Sequence, residues 1–113
     1  ADTLQRMIFY KAAIQSNKGS ILLFEEPEAH TYPPYITKVM QNVMDTTDNQ
    51  YFITTHSPYI INAVLEQLNN ETAIYFVDMQ AGNTIVQRAT EAELQEMYES
   101  GIDLFFNLET YLK

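Results

Sequence analysis

The sequence contains no cysteine. That removes disulfide scaffolds, thiolate zinc sites and cysteine nucleophiles from consideration. Positive charge is also scarce: six Lys and Arg stand against fifteen Asp and Glu, for a net charge of -9. Phosphate contacts need concentrated Lys and Arg, so the balance argues against a free-standing DNA-binding module. The eight tyrosines have no basic residues interleaved with them, which argues against stacking on nucleic acid. No apolar run reaches the ~18 residues of a spanning helix, and the opening ADTLQRMIFYKAA has no apolar signal core. A soluble, cytoplasmic protein with no membrane partner is the expectation. Glycine occurs three times, at Gly19, Gly82 and Gly101, and none sits in a loop of the kind that cradles phosphate.

What is present fits a folded chain. It has 113 residues, 46% hydrophobic and 19% charged, enough for one small domain, or a piece of a larger one, with a modest core. Nothing reads as a repeat, a low-complexity stretch or an interdomain linker.

Leu4, Ile8, Tyr10 or Ala12, and Ile14 recur at roughly helical spacing, and Ser16-Asn17-Lys18-Gly19 is a helix stop. Ile21-Leu22-Leu23-Phe24 is an unbroken apolar run, predicting a strand buried on both faces. Pro33 and Pro34 suit the first turn of a second helix, striped by Ile36, Val39, Met40, Val43 and Met44. Tyr51-Phe52-Ile53 predicts a second strand. Ser57 is an N-cap with Pro58 at the first helical position, opening a helix through Tyr59, Ile60, Ile61, Ala63, Val64 and Leu68. Ala73 to Val77 and Thr84 to Arg88 predict a hairpin about the turn Ala81-Gly82-Asn83. Thr90 with Glu93 forms a capping box for a last helix, which Gly101 ends. The tail from Ile102 is apolar but patternless. Alternating strands and helices predict an α/β fold, a parallel sheet with flanking helices and right-handed crossovers, and an antiparallel hairpin at one edge.

Two of the apolar strands run into polar tips. The first tip is Glu25-Glu26-Pro27-Glu28-Ala29-His30, and the second is Thr54-Thr55-His56-Ser57. Open α/β sheets bind ligands beyond the carboxyl ends of their strands, so parallel neighbours bring Glu25, Glu26 and His56 to one rim. Adjacent glutamates on a continuing pleat face opposite ways. One can then reach a Mg²⁺ shell while the other faces an attacking water. Like charges so close cost energy unless a cation or proton compensates. The plainer alternative is that the pair begins a solvated loop.

At these residues the chain resembles an ABC-type ATPase. ILLFEEPEAH followed by FITTHSPYII is similar to the Walker B, D-loop and switch-histidine half of that domain, in the style of the RecF/SMC/OLD-like ATP-binding proteins. The match covers roughly residues 1 to 66. The resemblance implies that Glu25 holds Mg²⁺ through a water, and that Glu26 orients or deprotonates the attacking water. It implies that His56 contacts the γ-phosphate of ATP, and that Ala29, His30 and the following turn form the D-loop against a partner subunit. The implied assembly is a homodimer sandwiching ATP, with any DNA contact made by other parts of the parent protein.

The chain also departs from that family. Ala29-His30-Thr31-Tyr32-Pro33 stands where AHLHP is frequent. At the signature position, Gln5 and Arg6 fit, but Ala1 replaces a serine and Thr3 a glycine. No G-x-x-x-x-G-K-[ST] occurs, so the β- and γ-phosphates lack their backbone cradle and lysine. The expectation is a C-terminal half of a nucleotide-binding domain, inactive alone, with its phosphate loop upstream.

Other readings stand beside this one. His30 reads equally as a surface or capping histidine. Ser57 reads as a helix cap, since no nucleophile elbow surrounds it, and Glu28 as a D-loop or solvated carboxylate. Met7, Met40 and Met44 read as core, and Glu91, Glu93, Glu96 and Glu99 as a solvated helix face. A metal-dependent hydrolase or nuclease using Glu25, Glu26, His30 and His56 as Mn²⁺ or Zn²⁺ ligands is one alternative function. A non-catalytic module whose acidic surface meets a basic partner is another.

Overall fold

A computed structural model of the chain describes residues 2–29, 31–67 and 71–100. The elements are α1 (Asp2–Ser16), β1 (Ile21–Glu25), α2 (Pro33–Asp45), β2 (Gln50–Thr54), α3 (Pro58–Glu66), β3 (Tyr75–Gln80), β4 (Asn83–Arg88) and α4 (Glu91–Ser100). The order is the one the sequence predicts, and the class is mixed α/β. Leu68, the stop at Gly101 and the tail beyond it lie outside the described residues. The chain divides into two compact units, Ala1–Gln67 and Leu68–Lys113. No helix among the described residues is long and apolar enough to cross a membrane.

In the first unit β1 and β2 pair in parallel, from Ile21 opposite Gln50 to Glu25 opposite Thr54. Parallel partners share a face, so Leu22, Phe24, Tyr51 and Ile53 lie on one side of the ladder and Ile21, Leu23, Phe52 and Thr54 on the other. The first side is the core side. Tyr10 of α1 meets Phe24 edge to face at 5.1 Å, and Phe24 meets Tyr51 at 5.9 Å. Such pairs add to the area they bury. Helix α2 buries Ile36, Val39, Met40 and Val43, and α3 buries Ile60, Ala63, Val64 and Leu65. Helix α2 packs against both α1 and α3.

Two expectations need correction here. The apolar strands are not buried on both faces: Leu23 is 75% and Phe52 54% exposed. An unbroken apolar run records what a strand is built to touch, and among the described residues only one side of this ladder is covered. The α1 stripe is also displaced. Tyr10 and Ile14 are its buried residues, whereas Leu4, Ile8 and Phe9 face outward. The helix is apolar around much of its circumference, so spacing alone does not choose the packed face. Met40 is buried as expected, while Met7 and Met44 are half-buried.

Both ends of the first sheet are tied by side chains. At its foot, Gly19 takes the left-handed conformation with φ +62° after the helix stop. Asn49 then bridges the two strand entries: its Oδ1 accepts from the Ser20 N–H at 3.0 Å, and its Nδ2 donates to the Asn17 carbonyl at 3.0 Å. The Gln50 N–H donates to the Ser20 carbonyl at 2.9 Å, which starts the ladder.

The second unit holds the antiparallel β3–β4 hairpin, with Tyr75 opposite Arg88 and Gln80 opposite Asn83. It forms its own two-stranded sheet. Strand β3 starts and ends later than the apolar run Ala73 to Val77, reaching Gln80, and β4 starts at Asn83, one residue before Thr84. The ladder continues through the polar residues up to a two-residue turn. The capping box is present: the Thr90 N–H donates to Glu93 at 3.0 Å, and the Glu93 N–H to the Thr90 hydroxyl at 3.1 Å.

Ala81 and Gly82 both have positive φ, +51° and +81°, as a type I′ turn requires. Alanine pays a penalty there that asparagine tolerates. We expect Ala81→Asn to stabilise the hairpin by roughly 0.5–1 kcal/mol, read as slower hydrogen exchange of the β3 and β4 amides. Faster exchange would exclude this turn type. The uncovered ladder face gives a second expectation. The isolated chain should bind a hydrophobic dye, and Leu23→Lys with Phe52→Lys should abolish that binding while changing unfolding free energy by less than about 1 kcal/mol. Dye binding that survives the double substitution would place the apolar surface elsewhere.

Candidate functional site

The parallel register sets the site. It places the exit of β1 beside the exit of β2, and Glu25 opposite Thr54. Glu25 is exposed, on the uncovered side of the ladder. The Glu26 N–H donates to the Thr54 carbonyl at 2.8 Å, so pairing persists one residue beyond the strand. Glu26 itself has φ +44°. A non-glycine residue there is disfavoured by roughly 1–2 kcal/mol, and this conformation ends the alternation of the pleat.

A tight turn follows. The Ala29 N–H donates to the Glu26 carbonyl at 3.0 Å, with the fully buried Pro27 at the second turn position, where its fixed φ is favoured. The Thr31 N–H then donates to the Glu28 carbonyl at 3.0 Å, and the chain enters α2 through Pro33 and Pro34. His30 lies outside the described residues.

On the β2 side, Ser57 caps α3, its hydroxyl accepting from the Tyr59 N–H at 3.2 Å. Pro58 sits at the first helical position. This is the cap the sequence predicts. His56 stands between strand and cap, and its Nε2 lies 3.4 Å from Oε1 of Glu26. The side chains are 82% and 49% exposed respectively. A pair so wet contributes little to stability. Its interest lies in placement: a carboxylate and an imidazole from two strand ends meet at the solvent edge.

Glu26 and His56 are therefore brought together as the sequence predicts, and Glu25 lies at the same strand exit. Among the described residues no three His, Asp or Glu side chains are grouped to hold a metal ion. Mg²⁺ makes a smaller demand. It commonly takes one or two carboxylates and fills its shell with water and substrate phosphate oxygens, and exposed carboxylates such as Glu25 and Glu26 fit that role.

Sequence reasoning missed Glu28 and Thr55. Oε1 of Glu28 accepts from the Thr55 hydroxyl at 2.5 Å and from the His56 N–H at 3.0 Å. The Thr55 hydroxyl in turn accepts from the Ser57 N–H at 2.9 Å. Glu28 is more than a solvated carboxylate, because it joins the two strand exits. The usable signal was Pro27: a tight turn after β1 folds the third acidic residue back toward the neighbouring strand. Asn49 lies in the polar stretch between α2 and β2, and asparagine carries both a donor and an acceptor that can join two loops.

A comparison with curated proteins finds no match. The family model for the AAA ATPase domain matches residues 3–61. That span runs from α1 into α3, includes every residue of the juxtaposed strand exits, and covers just over half of the 113 residues. A parallel strand pair, acidic and imidazole groups at its exits and this match agree with one another, and the chain belongs to the AAA ATPase domain family.

Proposed function

We propose that this chain is the Walker B, D-loop and switch-histidine part of an ABC-type ATPase domain of the RecF/SMC/OLD-like kind. The observation that carries the reading is the 3.4 Å approach of the His56 imidazole to the Glu26 carboxylate across parallel strands. Membership of the AAA ATPase domain family supplies the general ATPase-type function. The residue roles are our assignment.

In this reading Glu26 orients the attacking water and draws off its proton. Its left-handed backbone takes it out of line with Glu25, leaving Glu25 to hold Mg²⁺ through a water. Bound Mg²⁺ neutralises charge on the phosphates. His56 donates a hydrogen bond to the γ-phosphate, and its approach to Glu26 makes both groups report on one small volume of solvent. Ala29, His30 and the turn that follows them serve as the D-loop, which meets a second copy in a nucleotide-sandwich homodimer. Sequence outside these 113 residues supplies the phosphate loop, so the chain alone is inactive. Any DNA contact belongs to other parts of the parent protein.

These roles separate by experiment in a protein that carries this segment together with its phosphate loop. Glu26→Gln keeps the shape but removes the basic oxygen. We expect ATP turnover to fall by roughly 10²–10⁴-fold with nucleotide affinity retained, measured by steady-state hydrolysis and fluorescent-nucleotide binding. Unchanged turnover would remove Glu26 from the reaction. Glu25→Gln should raise the Mg²⁺ concentration needed for half-maximal turnover; an identical Mg²⁺ titration counts against its metal role. Phosphodiester cleavage by the 113-residue chain with Mn²⁺ and no nucleotide would replace the reading with a metal-dependent nuclease.

A further inference from the structure

The loop after β1 holds a carboxylate whose surroundings are unusual for a loop residue. Glu28 is only partly exposed, and its Oε2 is buried with no hydrogen-bond partner among the described residues. Removing a carboxylate oxygen from water without a donor is costly. A glutamate that served only solubility would turn outward. The offsetting interactions are all on Oε1, which receives two donors, the Thr55 hydroxyl and the His56 N–H. Bonds to an ionised acceptor are the stronger class.

Those two donors flank one residue. The Thr55 hydroxyl fixes the chain just before His56, and the His56 N–H fixes its own backbone. Thr55 passes the constraint onward, because its oxygen accepts from the Ser57 N–H, and Ser57 caps α3. The backbone from Thr55 to Ser57 is thus referenced to one oxygen on the other loop. That loop also carries Glu26, held by its own N–H on the Thr54 carbonyl and by the turn closed from Ala29. The imidazole is highly exposed, and the backbone beneath it sets where it starts toward Glu26.

We infer that Glu28 is a positioning residue: its buried carboxylate clamps the β2 exit to the β1 exit and sets the His56 imidazole against the Glu26 carboxylate. The clamp is a statement about geometry, and its effect on turnover rests on the ATPase reading given above. Glu28 takes no part in the chemistry in this role. It acts through His56.

The clamp itself is tested on the 113-residue chain by amide NMR. Glu28→Ala should make the His56 amide exchange with solvent at least about tenfold faster, as loss of one charge-assisted hydrogen bond implies. Thr55→Val, which keeps the side-chain shape, should disturb the same signal, and Thr55→Ser should restore it. If Glu28→Ala does not fold, the Val and Ser pair carries the test. A His56 amide indifferent to all three changes overturns the proposal.

Turnover is then measured in the protein that carries the phosphate loop. Glu28→Ala should lower kcat by up to about 100-fold, the scale of an ångström-sized misplacement, with KM for ATP unchanged. The double variant Glu28→Ala/His56→Ala should be no slower than His56→Ala alone, because both act through one group. Additive losses overturn the positioning role. A lowered melting temperature with normal kcat also overturns it, since that is what a purely structural glutamate gives. If the His56 amide responds but His56→Ala turns over normally, the clamp stands and the ATPase role of His56 fails.

Discussion

The parallel register of β1 and β2 is the constraint on which the site depends. Side chains on a strand alternate, so a slip of one residue turns every one of them to the other face. With Glu25 opposite Thr54, the next residues on the two strands are Glu26 and Thr55, and His56 follows. A slip would send Phe24 out of the aromatic cluster with Tyr10 and Tyr51 and carry Glu26 away from His56 together. Core packing and site geometry are therefore specified by one pairing. The apolar cluster supplies the driving force, and the polar residues at the two ends fix where it stops.

The division of labour at the rim follows from burial. The Glu26–His56 pair is wet and contributes little to folding, so it can respond to a ligand without disturbing the domain. The Glu28–Thr55 connection is drier and supports the pair from below. Accessible side chains need rigid backbone under them to hold a fixed approach, and here a hydrogen-bonded carboxylate supplies it.

Element order was legible because it follows from local signals: proline at the helix starts, Ser57 and Thr90 as caps, Gly19 beyond a helix end. The approach of Glu26 to His56 was also legible, since parallel pairing puts both strand exits on one edge. Burial was read less well. Leu4, Ile8, Leu23 and Phe52 look like core in the sequence, yet they are exposed, because periodicity identifies an apolar face but not what covers it. The role of Glu28 was hidden for a different reason. Its partners lie 27 and 28 positions away, and only the turn at Pro27 brings them into reach.

Asn49 makes the foot of the sheet sensitive to the chemistry of one amide. Both ends of its amide are committed, Oδ1 to the Ser20 N–H and Nδ2 to the Asn17 carbonyl, so the group has one usable orientation. Spontaneous deamidation would replace the donating nitrogen with an anionic oxygen facing that carbonyl, and attraction would become repulsion. Ageing of a single amide at the foot of the sheet would then loosen the alignment that its carboxylates rely on at the opposite end. Mass spectrometry of stored protein, paired with exchange rates for the β1 amides, would register the two changes together or show that they are unconnected.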